Sequence, residues 1–331
     1  MISLSGTAYA WPEEFKVKLS SIWRDSADAS SFAPPPSRGT HELRSTLQHY
    51  VKAAEPFITS GVRAVALPLV ARRKVVVFER PTFLGVVNLF RAAGRDIELH
   101  DDRSLPNALR TKDAATAACW VTSPGRNPDG RTLNSELDEA LHHFRAQGGL
   151  VIRNATNGFH SLPSSPGSLV LDGLHGRYQP IASGEILVGS FSKLLGPWAR
   201  LGWVAGEIDD DLRESIRHSA PALAVQHFWT SVLSEPAIRE ALAERSAKVR
   251  AMVAEAAEIL GRNPGTTDGS SLMLPVRGED PVRLFANYGL EVNDGRAFAA
   301  GPGTIRLSFL GVERPERAYA ALKDIRASII P

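Results

Sequence analysis

The chain has 331 residues, 43% apolar and 22% charged, with 27 Gly and 22 Pro; this composition suits one or two globular domains and excludes collagen-like, disordered and coiled-coil classes. Its 38 basic and 36 acidic residues leave +2, so charge gives no reason to expect a nucleic-acid or anionic-membrane partner. One cysteine, Cys119, rules out an internal disulfide or a cysteine-rich metal site, and with no apolar run of membrane length and no signal peptide the expectation is a soluble, cytoplasmic protein.

Residues 30–39, with Pro34, Pro35 and Pro36 in a row, cannot be helical and read as part of an extended arm. A helix is expected from Thr40 through Val51, followed by alternation: helix 61–72, strand 74–78, helix 82–93, strand 96–99, strand 117–122, helix 134–146, strand 149–152. Three more strands are expected at 168–171, 186–188 and 201–205. The strands are runs of Val, Ile and Leu, as required of a sheet covered on both faces, and alternation with helices argues for parallel pairing. Beyond Asp209 the pattern is mostly helical, to 217 and again over 235–260, then two or three short strands and a closing helix, 315–329. The expected division is a large α/β domain at 40–215, with 1–39 and 216–331 forming a smaller α+β domain.

Only eight of the 38 basic residues are lysines, so a lysine in an unusual setting stands out. Gly189-Ser190-Phe191-Ser192-Lys193 follows a predicted strand, and Arg200-Leu201-Gly202-Trp203 comes seven residues after the lysine. A lysine partly removed from water beside another cation has a lowered pKa, and its neutral amine can condense with a carbonyl to form a Schiff base. The stretch suits an anionic ligand that bears an aldehyde.

Ser-Phe-Ser-Lys followed by Arg-Leu-Gly-Trp resembles the lysine loop of fold-type I pyridoxal phosphate aminotransferases, and its spacing is similar to that of the 2-aminoadipate branch. Other segments follow in that family's order: 37–44, Thr59-Ser60-Gly61, Glu79-Arg80-Pro81-Thr82-Phe83, Asn127-Pro128-Asp129-Gly130 and Ile305-Arg306-Leu307-Ser308-Phe309. The resemblance implies pyridoxal 5'-phosphate as cofactor, an amino acid and a 2-oxo acid as substrates, and a homodimer. It implies that Lys193 binds the cofactor covalently and moves the substrate proton. Ser190, Ser192, Arg200 and the turn of Ser60, Gly61, Val62 and Arg63 would hold the phosphate, with helix N-terminal amides favouring the anion. Phe83 would stack on the ring, Asn127 would donate to its phenolic oxygen, and Arg306 would clamp the substrate carboxylate.

The family places an aspartate and a tyrosine before the lysine loop. Alignment through Ala155 puts Arg153 and Thr156 there, and a one-residue slip puts Asn154 and Asn157 there; the acid is absent either way. Arginine cannot protonate a pyridine nitrogen, so the expectation is a weaker electron sink, with slow transamination or another Cα or Cβ reaction such as racemisation or elimination. Val62 and Arg63 also depart from the branch, which has Ser and Gln there, and Arg63 offers an alternative phosphate ligand.

Ser190-Phe191-Ser192-Lys193 also satisfies Ser-x-x-Lys, but neither Ser-Asp-Asn nor Lys-Thr-Gly occurs in the chain, which excludes that acyl-enzyme class. His142 and His143 are adjacent on a predicted helix and point apart, so they make no chelating pair. The competing reading from another class is a non-catalytic protein on the same fold, favoured by the missing acid and opposed by Lys193, Arg200, Asn127 and Arg306.

Overall fold

The structure is a computed structural model that describes residues 1–29, 33–51, 56–158, 183–196, 200–262, 269–278 and 280–329. Its centre is a seven-stranded sheet of β2 (Phe57–Thr59), β3 (Val75–Glu79), β4 (Asp96–His100), β5 (Ala117–Thr122), β6 (Leu150–Asn154), β7 (Glu185–Ser190) and β8 (Gly202–Gly206). The spatial order is β2-β8-β7-β6-β5-β3-β4. Pairing is parallel from β4 to β7, and β8 is antiparallel to both neighbours. Only β8 is reversed, so the chain leaves β3, β5, β6 and β7 at one sheet edge, where α/β proteins gather their binding loops.

Burial on both faces explains the continuous apolar strands. Val76, Phe78, Trp120, Ile152 and Val188 pack with Val65, Leu69, Val87 and Phe90 of helices Val62–Leu69 and Leu84–Ala92. On the other face Val77, Cys119, Val121 and Val151 meet Leu105, Leu109, Leu137 and Phe144. Helix Ser135–Ala146 starts at Asn134, whose Oδ1 accepts from Leu137 N at 2.8 Å, a cap contributing about 1 kcal/mol.

Residues 1–11 and 271–308 build two smaller sheets. β1 (Ile2–Ser3) pairs with β10 (Leu290–Glu291), and β9 (Ser271–Pro275), β12 (Thr304–Ser308) and β11 (Asn293–Asp294) form an antiparallel set. Long helices Leu223–Ser234, Pro236–Ile259 and Glu316–Ile329 cover this end of the molecule.

Four helices differ from the sequence expectations. The arm contains a 17-residue helix, Glu13–Ala29, against which Leu223–Ser234, also not expected, packs through Phe228 and Trp23. Helices Leu105–Thr111 and Pro281–Asn287 are likewise additional. The expected strand at 168–171, together with Phe159, Pro197, Trp198 and Ala199, lies outside the described residues. Among the described residues no helix is long and apolar enough to cross a membrane, and no cluster of three or more His, Cys, Asp or Glu could hold a metal. His142 and His143 are both exposed.

Candidate active site

Lys193 lies three residues beyond the end of β7, in a loop anchored from below. Its carbonyl accepts from Tyr9 N at 3.1 Å, and the next carbonyl, Leu194 O, accepts from Trp11 Nε1 at 2.7 Å. The N-terminal arm thus fixes the lysine backbone. Loss of water contact, with the positive charges of Arg306 and Arg63 as smaller contributions, lowers the Lys193 pKa to about 8. A neutral amine is therefore available near neutral pH, as nucleophilic attack on an aldehyde requires.

The turn before helix Val62–Leu69 forms a second corner. Gly61 has φ +110 and caps the helix without a side-chain bond, a conformation open to glycine. A Cβ built on Gly61 would lie 3.5 Å from Arg200 Nη2, so the Arg200 guanidinium lies over the turn. Val62 is buried in the core and offers the site its amide only. Ser60 is held elsewhere, its amide and hydroxyl both donating to Ser219 O, at 2.6 and 2.9 Å. Ser190 Oγ accepts from Ser192 N at 3.1 Å, shaping the loop before Lys193.

Gly202, in the Arg-Leu-Gly-Trp string, explains how the turn reaches this loop. A Cβ there would sit 2.7 Å from both Gly61 Cα and Gly189 O, closer than side chains pack. Gly202→Ala is expected to displace the Gly61 turn and weaken phosphate-anion binding about tenfold or more, measured by calorimetric titration of the full chain with pyridoxal phosphate.

Phe83 precedes helix Leu84–Ala92, is 39% exposed, and carries the Arg63 guanidinium over its ring at 5.4 Å. Arg63 itself is exposed. Asn127 sits in the loop after β5, and its Oδ1 is buried without a partner among the described residues. That loop is clasped from two sides: Asn157 Nδ2 donates to Gly125 O at 2.9 Å, and Ser271 Oγ donates to Pro128 O at 2.8 Å. Beneath it Arg126, 5% exposed, binds Asp102 and Asp129, and Arg131 also binds Asp102. Glu79, 0% exposed, accepts from Thr122 N at 2.6 Å and lies 4.0 Å from Arg126. Burial raises the Glu79 pKa to about 8 against the opposing pull of Arg126, and beside it Arg126 and Arg131 face Asp102 and Asp129.

Arg306, on β12, is 4% exposed. Its Nη1 donates to Asn293 Oδ1 at 2.9 Å, its guanidinium lies over Phe298 at 5.2 Å, and its Nε is buried without a partner among the described residues. Burial lowers its pKa to about 10. Phe298 O accepts from Thr82 N at 2.9 Å, which ties this unit to the residue beside Phe83.

Arg153 is not part of the cluster, which corrects the sequence expectation. Successive β6 residues face opposite ways; Val151 and Arg153 face helix Ser135–Ala146, and the Arg153 guanidinium donates to Glu185 and, at 3.5 Å, to Asp138. Burial alone would lower its pKa, but these two acids raise it overall. Asn154, at the end of β6 on the opposite face, accepts from Thr156 N at 3.1 Å and from Thr156 Oγ1 at 2.7 Å. Its amide NH2 has no partner among the described residues.

The residues of these segments fit pyridoxal 5'-phosphate in chemistry. An amine of lowered pKa, a glycine turn under an arginine, an exposed aromatic, and the unpartnered polar atoms of Asn127 and Arg306 match an aldehyde, a phosphate, a ring and their polar substituents.

No protein-family model and no curated protein sequence matches the chain. Solved structures do match it in shape. An aspartate aminotransferase from Thermotoga maritima gives a TM-score of 0.78 at 18% identity, covering 99% of this chain and 92% of that one. The aspartate aminotransferase from Thermus thermophilus with maleate gives 0.76 at 18%, covering 99% and 92%. An aromatic aminotransferase from Pyrococcus horikoshii gives 0.76 at 18%, covering 98% and 95%. Over nearly its whole length, this chain has the fold of the aspartate and aromatic aminotransferases.

Proposed function

We propose that the protein is a pyridoxal phosphate-dependent aminotransferase that exchanges the amino group of an α-amino acid with a 2-oxo acid. The observation that carries this reading is Lys193, whose amine is shifted toward neutrality by burial and by Arg306 and Arg63. The cofactor, when bound, supplies an electron sink for the bond broken at the substrate Cα. Lys193 would hold it covalently until the substrate amine takes its place, and the lysine amine so released would then move the Cα proton. Arg200 and the amides of Val62 and Arg63 grip the phosphate. Phe83 covers the ring, Asn127 hydrogen-bonds its phenolic oxygen, and Arg306 orients the substrate carboxylate. The same reading takes 40–215 as the cofactor domain, 1–39 with 216–331 as the smaller domain, and a cytoplasmic homodimer as the assembly.

Asn154 carries the finer part of the proposal. As the polar residue ending β6 on the face away from Arg153, it stands in for the family's aspartate; its amide can hydrogen-bond a pyridine nitrogen but cannot supply a proton. Transamination is therefore slower than with an acid there, and other Cα chemistry competes. Asn154→Asp is expected to raise the single-turnover transamination rate about tenfold or more, followed by absorbance of cofactor-loaded protein mixed with single amino acids. An unchanged rate contradicts the assignment of Asn154. The absence of any spectral response from every amino acid tried favours the non-catalytic reading.

A further inference from the structure

We infer that Asn293 is a positioning residue for substrate binding, which keeps the Arg306 guanidinium oriented and free of a competing charge. The inference rests on the proposed role of Arg306 as the carboxylate clamp. Asn293 and Arg306 are directly opposite each other in the β11–β12 pair, and Asn293 Oδ1 takes Arg306 Nη1 at 2.9 Å. Phe298, in the turn Gly295–Phe298 that follows β11, supports the guanidinium plane at 5.2 Å.

These contacts use one end and one face of the guanidinium. Nε is buried without a partner, and Nη2 has none among the described residues, so the side edge of the fork, the pair that binds a carboxylate with two parallel hydrogen bonds, is open. Among the described residues, Arg126 is matched by Asp102 and Asp129 and the half-buried Arg153 by Glu185, while Arg245 donates to the carbonyls of Leu310 and Val312. Arg306 has an amide instead, and no acid contributes to its electrostatics. An uncompensated buried cation is costly in the free protein, and an incoming carboxylate relieves that cost. A carboxylate at position 293 would relieve it permanently and remove the driving force for binding.

The test is calorimetric titration of the cofactor-loaded full chain with maleate, alongside thermal unfolding without maleate. Asn293→Asp is expected to weaken maleate binding about tenfold or more while leaving the unfolding midpoint unchanged or raised, a combination that a merely structural role does not give. Asn293→Ala adds no charge, so it serves if the aspartate variant fails to fold, with an expected weakening of about threefold or more. Arg306→Lys separates the two readings. If it weakens binding about tenfold while both Asn293 variants stay within twofold of wild type, the role of Asn293 is overturned. If Arg306→Lys also leaves maleate binding unchanged, the Arg306 clamp itself is overturned.

Discussion

On the proposed function, Lys193→Ala is expected to lower turnover about a thousandfold or more, because it would remove both the covalent hold on the cofactor and the group that moves the Cα proton. Its unfolding midpoint should not fall, since the variant relieves a partly buried amine surrounded by arginines. The amine also has a pH signature. Its pKa is lowered from 10.5 to about 8 on folding, so the folded protein bears the cost of the charged form below pH 8 and recovers it as pH rises toward 10.5. The rate at which cofactor-free protein captures pyridoxal phosphate should accordingly climb through pH 8 and level off, where an ordinary lysine continues to gain beyond pH 10. Stopped-flow absorbance across that range measures it, and Arg306→Met should move the midpoint upward.

The second large effect concerns Arg126, beneath the loop that carries Asn127. Arg126→Ala leaves Asp129 and Asp102 with Arg131 as their remaining counter-charge, and removing one partner of a buried ion pair costs about 3–5 kcal/mol. Denaturant unfolding should register that loss. Glu79→Gln should cost less than about 1 kcal/mol at pH 7, because the carboxyl it replaces is held protonated there. Glu79 is raised from 4.5 to about 8, so its relative contribution is fully present below pH 4.5 and is lost as pH rises through 8. The gap between wild type and Glu79→Gln should therefore shift in favour of the glutamine variant across that window.

Lys193, Arg200 and Arg306 stand out in the sequence because each sits in a short string of restricted composition, and the mainly parallel α/β sheet follows from apolar runs alternating with helices. The orientation of Arg153 was not legible. A five-residue strand ending in two polar residues, Arg153 and Asn154, can be phased either way until the partner face, with Glu185 and Asp138, is known. The hydroxyl partner of Ser60, Ser219 O, lies 159 residues away in sequence, beyond any local pattern. Gly202 and Asn293 act through close approach and a cross-strand contact, which a one-dimensional pattern does not record. Helix Glu13–Ala29 leaves a trace in the helical spacing of Phe15, Leu19, Ile22 and Trp23 and ends ahead of the proline run 34–36. β2, at three residues, is too short to carry a pattern of its own.

The most direct measurement is to load the full chain with pyridoxal phosphate, reduce it with borohydride, and map the modified peptide by mass spectrometry. The account predicts a stable adduct on Lys193, lost in Lys193→Ala. No adduct, or one confined to another of the eight lysines, would contradict it.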